Sequence, residues 1–165
     1  MKKYFLSFAL LAFFFTSCKD NSSNTSEMTT DSIEVNNSSS LTAPDESLTS
    51  LNELKGKYPM EVKLLDNPLV KSRLEKLLGD DYANFRKFWM VETPILIEEN
   101  ILYATGCEQH NCAANQYVLE IDLSQNNINV YHFGADVKSY VEKGTIQLPK
   151  GLSEEFEVLK SNRIY

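Results

Sequence analysis

The chain predicts an α+β fold: an antiparallel β-sheet meander packed against short amphipathic helices, with a disulfide-closed loop between two strands. Three observations predict it. Apolar residues recur at helical spacing from Val70 to Phe88 and at strand-like spacing from Val91 to Phe133. Turn residues divide the strand-like part at short intervals. Cys107 and Cys112 bracket four residues that fall between two of those runs. Helices followed by hairpin-connected strands give segregated layers rather than alternating βαβ units.

The N-terminal residues 1–17 read as a lipoprotein signal peptide. Lys2 and Lys3 form a positive start, and Phe5 to Phe15 form an apolar core too short to span a bilayer. Phe15-Thr16-Ser17-Cys18 resembles the lipobox of bacterial lipoproteins, with Phe15 standing where Leu is usual. In that reading Cys18 is lipidated and becomes the first mature residue. The alternative is an ordinary signal with an incidental cysteine. Either way the mature chain reaches an oxidising compartment. Residues 18–50 are rich in Ser, Thr and Asn and poor in apolar residues, which predicts a disordered linker. About thirty such residues reach roughly 30 Å. Lys19-Asp20 resembles a tag that sorts lipoproteins to the cell surface, and serves equally as plain spacer. The expected location is the bacterial cell envelope, with Cys18 anchored in the outer membrane on its periplasmic or surface face.

Residues 51–165 suit one folded domain with a modest core. Its thirteen basic and seventeen acidic residues give it −4 of the chain's −7 formal charge. An acidic domain argues against nucleic acid and favours a cationic partner. Asp66 or Asn67 can cap a helix whose first turn holds Pro68. Val70, Leu74, Leu77 and Leu78 share one face, while Lys71, Arg73, Glu75 and Lys76 mostly take the other. Gly79 can end it in a left-handed cap. Asp80 or Asp81 can start a second helix carrying Tyr82, Phe85 and Phe88 as core. Val91–Glu98, with an edge or bulge at Pro94, and Ile101–Thr105 predict strands joined at Glu99-Asn100. Tyr117–Leu123 alternates as a half-buried strand, Ser124–Asn127 turns, and Ile128–Phe133 returns. The remaining tail has no clear period. Trp89 reads as core, and Tyr103 as core or a neighbour of the loop base. Glu92, Glu98, Glu99, Glu120 and Asp122 read as solvated strand faces and turns, with no catalytic set among them.

The segment Cys107-Glu108-Gln109-His110-Asn111-Cys112 holds two of three cysteines and one of two histidines. Lipidation of Cys18 would leave Cys107 and Cys112 to each other. Four readings stay open on the residues alone. A zinc site would need His132 to complete its ligand set. Redox exchange usually uses a closer Cys-x-x-Cys spacing at a helix start. A disulfide-closed recognition loop would present His110, and a merely stapled turn would leave it solvated. Closing so small a ring stabilises by roughly 2 kcal/mol, so its larger effect is on loop shape.

Leu102 to Ile121, with Gly106 before Cys107 and Gln116 after Cys112, resembles the Ivy family, inhibitors of vertebrate (c-type) lysozyme. The family's loop is Cys-Lys-Pro-His-Asp-Cys between two strands. Cys107, His110 and Cys112 match it, and Glu108, Gln109 and Asn111 depart from it. The aromatic helical segment from Asn67 to Phe88 extends the likeness. The resemblance implies a non-enzymatic inhibitor without cofactor or metal, whose disulfide-closed loop enters the lysozyme cleft. It implies that His110 meets the two catalytic carboxylates there. The alternatives are a related glycan-cleaving enzyme as the target, or an envelope lipoprotein binding module of this fold that controls the cell's own lytic transglycosylases or has no inhibitory activity. Replacing Cys18 by Ala should move the protein from the membrane fraction to the soluble fraction, as read by fractionation and immunoblotting.

Overall fold

The computed structural model describes residues 47–162. The signal peptide, Cys18 and the linker up to residue 46 lie outside the described residues. Within them, three α-helices and six strands form an α+β arrangement: α1 Pro68–Leu78, α2 Tyr82–Phe88, β1 Val91–Glu92, β2 Leu96–Glu98, β3 Ile101–Cys107, β4 Gln116–Asp122, β5 Asn127–Phe133, β6 Val137–Val141 and α3 Lys150–Ser161. The sheet is antiparallel throughout. Its order is β1-β3-β4-β5-β6, and β2 pairs with β3 on the same edge as β1.

The helices start and stop for local reasons. Asn67 caps α1 by accepting from the Leu69 and Val70 amides at 3.0 and 3.4 Å, and Pro68 follows where no donor is needed. Gly79 ends α1 at a φ of 53°, and its amide donates to the Glu75 carbonyl. A short 3₁₀ turn at Gly79–Asp81 leads into α2 without a side-chain cap from Asp81. Val70, Leu74, Leu78 and Phe85 turn to the sheet and are buried. Arg73 leaves the expected solvent face. It pairs with Glu142, just past β6, and donates to the Asn126 carbonyl at 2.8 Å, which ties α1 to the β4–β5 turn and the end of β6.

The strand-like run Val91–Glu98 splits in two. Pro94 supplies no ladder donor, so bonding to β3 ends at Thr93, whose amide donates to the Thr105 carbonyl at 3.3 Å, and regular pairing resumes at Leu96. Glu99 and Asn100 join β2 to β3 with φ of 47° and 64°, the sign a tight hairpin demands. The tail forms both β6 and α3, which local periodicity left unassigned. Apolar packing also begins upstream of the expected boundary: Leu48 is buried with Leu51, beside a 3₁₀ turn at Thr49–Leu54.

Because α3 covers the second sheet face, the central strands are buried on both. Leu102, Ala104, Tyr117, Leu119, Ile121, Ile128 and Val130 face α1 and α2. Ile101, Tyr103, Val118 and Phe133 face Leu152, with Phe156 and Leu159 of α3 beside them. Tyr103 is therefore core. The same cover corrects the expectation for two acids. Asp122 is buried and holds the next turn by accepting from the Ser124 and Gln125 amides. Glu120 is 1% exposed, and its Oε2 has no hydrogen-bond partner among the described residues. Glu98 and Glu99 stay exposed.

Burial pushes the Glu120 carboxyl up to about 8, against about 4.5 when exposed. The folded state thus holds a proton that the unfolded chain releases. The Glu120 contribution to stability should be full below about pH 4.5 and fall as pH rises towards 8, by at most about 1.4 kcal/mol per pH unit, while Asp81 and Glu142, whose carboxyls are held below the usual range, contribute with the opposite sign at acid pH. Glu120→Gln should flatten that fall in urea midpoints measured across the window. A second consequence concerns Gly106, where a Cβ would stand 2.2 Å from Trp89 Cδ2. Gly106→Ala should destabilise by about 1–3 kcal/mol in the same assay, because the buried indole, held by Glu92, would have to shift.

Candidate functional site

The strands β3 and β4 pair from Ile101↔Asp122 to Cys107↔Gln116. Their connection, residues 108–115, therefore leaves the end of the most deeply buried pair in the sheet. Cys107 and Cys112 are disulfide-bonded with Cα atoms 4.9 Å apart. Backbone bonds shape the rest. The Glu108 amide donates to the Asn115 carbonyl at 3.1 Å, the Asn111 amide to Glu108 at 3.0 Å, and the Ala114 amide to Asn111 at 3.1 Å.

His110 sits at the turn with a φ of 63°, and its side chain is exposed beside that of Gln109. A non-glycine residue in this region is uncommon, and the surrounding turn holds it there. Glu108 does not point outwards. Its Oε2 accepts from Asn111 Nδ2 and from Asn115 Nδ2, both at 2.7 Å. Two of the loop's unusual residues, Glu108 and Asn111, thus satisfy each other. The structure brings Cys107, Glu108, Asn111 and Cys112 into one closed unit and leaves Gln109 and His110 to solvent.

The base of the loop rests on aromatic rings. Trp89 packs against Gly106, and the Met90 amide donates to the Cys107 carbonyl at 3.0 Å. Glu92 fixes the indole by accepting from Nε1 at 2.9 Å. Phe85 lies 5.1 Å from Trp89 and meets Tyr117 edge-on at 5.3 Å. Tyr117 stacks on His132 at 4.2 Å. His132 Nε2 is in turn 3.3 Å from Asn115 Oδ1 in the loop. The row Trp89, Phe85, Tyr117, His132 runs beneath the connection and pins it at both strands. Burial lowers the His132 pKa below the usual range, and the nearby Lys138 charge lowers it further against an opposing pull from Asp81.

A zinc site at Cys107, Cys112 and His132 would need thiolates, and both sulfurs are committed to the disulfide. His132 is instead a stacked, hydrogen-bonded neighbour of the loop. Asn115 and His132 are the supporting residues that sequence reasoning missed in this role. The β4–β5 register that sets Tyr117 opposite His132 is the signal that locates them.

A family model described as inhibitor of vertebrate lysozyme (Ivy) matches residues 69–160, more than half of the chain. The chain belongs to the Ivy family. No curated protein and no solved structure matches it. The Ivy match runs from the first turn of α1 almost to the end of α3. It therefore takes in the loop, the aromatic row beneath it and the helix that covers the second face. Membership makes this chain a lysozyme inhibitor by family, and lysozyme its partner.

Proposed function

We propose that this Ivy-family chain inhibits c-type lysozyme by inserting the Cys107–Cys112 loop into the active-site cleft, with the His110 imidazole between the two catalytic carboxylates. The observation that carries this is His110 itself: an exposed ring at the turn of a disulfide-closed loop on a buried strand pair. Retaining glycosidases hold their carboxyl groups about 5 Å apart. A protonated imidazole donates from both ring nitrogens and can serve both groups at once. Such contact blocks substrate and occupies acid and nucleophile together.

The supports for the loop favour tight docking. A loop ordered before binding loses less conformational entropy on contact. The domain's acidic balance would steer it towards a basic enzyme. The inward turn of Glu108 removes the obvious electrostatic objection, a third carboxylate aimed at the first two. In this reading the chain is an inhibitor rather than an enzyme. It acts from the bacterial envelope, held at the outer membrane by lipid on Cys18 at the end of a linker.

Turnover of c-type lysozyme on peptidoglycan, with and without the purified domain, tests the mechanism. Wild type should inhibit. His110→Ala should weaken inhibition by at least about a hundredfold, the loss of two charge-assisted hydrogen bonds. Equal potency of His110→Ala and wild type would show that another surface does the work.

A further inference from the structure

The Glu108 carboxylate is held by a chain of side chains that reaches back into the sheet. Asn115 can give Glu108 an amide hydrogen only if its own Oδ1 faces the other way, towards His132. His132 Nε2 must then carry the hydrogen it donates across 3.3 Å. Turned over, the Asn115 amide would set an oxygen against the Glu108 carboxylate. Its orientation is thus determined from both ends. His132 is itself held by stacking on Tyr117 at 4.2 Å. The Glu108 amide adds a backbone tie to Asn115.

We propose that Asn115 is a positioning residue that keeps the Glu108 charge folded into the loop and so decides which enzyme clefts the loop can enter. The proposal rests on the loop being the inhibitory element. A cleft that presents paired carboxylates tolerates this loop only while Glu108 stays turned back. Released, Glu108 would bring a third negative charge to the same place. Asn111 also holds the carboxylate, but it is exposed and lies inside the cysteine ring. Among the described residues, it is Asn115 that connects the carboxylate to the sheet, through His132.

The test is a double-mutant cycle on the full-length protein, read as inhibition constants against c-type lysozyme. Asn115→Asp sets two carboxylates face to face in the wild-type background. With Glu108→Gln present, it sets one carboxylate against an amide. Asn115→Asp should therefore weaken inhibition by about tenfold or more alone, and by less than about threefold in the Glu108→Gln background. Equal loss in both backgrounds, or loss in neither, overturns the proposal. NMR of the free protein supplies a readout independent of the enzyme. The Asn115 side-chain amide protons should be shifted by the carboxylate and lose that shift in Glu108→Gln; an unchanged shift overturns it. Retention of the NMR signature without inhibition by wild type would remove the inhibitory role of the loop, and the cleft selection with it. Loss of the cycle coupling with inhibition intact would remove only the role of Asn115.

Discussion

The antiparallel pairing of β3 with β4 is the constraint on which the rest depends. Seven residue pairs, all but one of their residues buried, set the register of the whole sheet. That register sets Cys107 opposite Gln116 and so fixes how many residues the connection contains. A slip by one residue would exchange the two faces of β4. Glu120 would turn towards α1 and Leu119 towards α3. Apolar packing on both sides therefore protects the geometry of a loop that is itself mostly polar.

The loop spends its polar groups on itself. Glu108, Asn111 and Asn115 satisfy one another, and backbone bonds at Glu108, Asn111 and Ala114 complete the turn. The Gln109 and His110 side chains are left to solvent. The aromatic row below supplies the stiffness that this small ring does not have. Trp89 closes over Gly106 at one strand, and Tyr117 with His132 supports the other. Family membership makes the chain a lysozyme inhibitor by family, and the geometry adds how the loop is held.

Much of this was legible residue by residue. Asn67, Pro68 and Gly79 mark α1 because capping and glycine backbone freedom act within one turn. The turns at Glu99-Asn100 and after Asp122 are equally local. Other features were not legible. The tail hid β6 and α3 because β6 is largely exposed and α3 buries little beyond Leu152. Glu120 looked solvated because alternation along β4 says which residues share a face, not what covers it. The direction in which Glu108 points was not legible because its partners include Asn115, seven residues away and beyond the cysteine ring.

The linear order of residues was enough for the α+β class, the caps, the strand pattern and the His-bearing loop between two cysteines. Each of these depends on interactions within a few residues, where chemistry and spacing act directly. The second buried face, the burial of Glu120 and the inward turn of Glu108 appear only once the chain is folded. They depend on which residues the sheet register and α3 bring together across long separations. For this protein, where a charge ends up is a tertiary matter, because burial and hydrogen-bond partners come from distant parts of the chain.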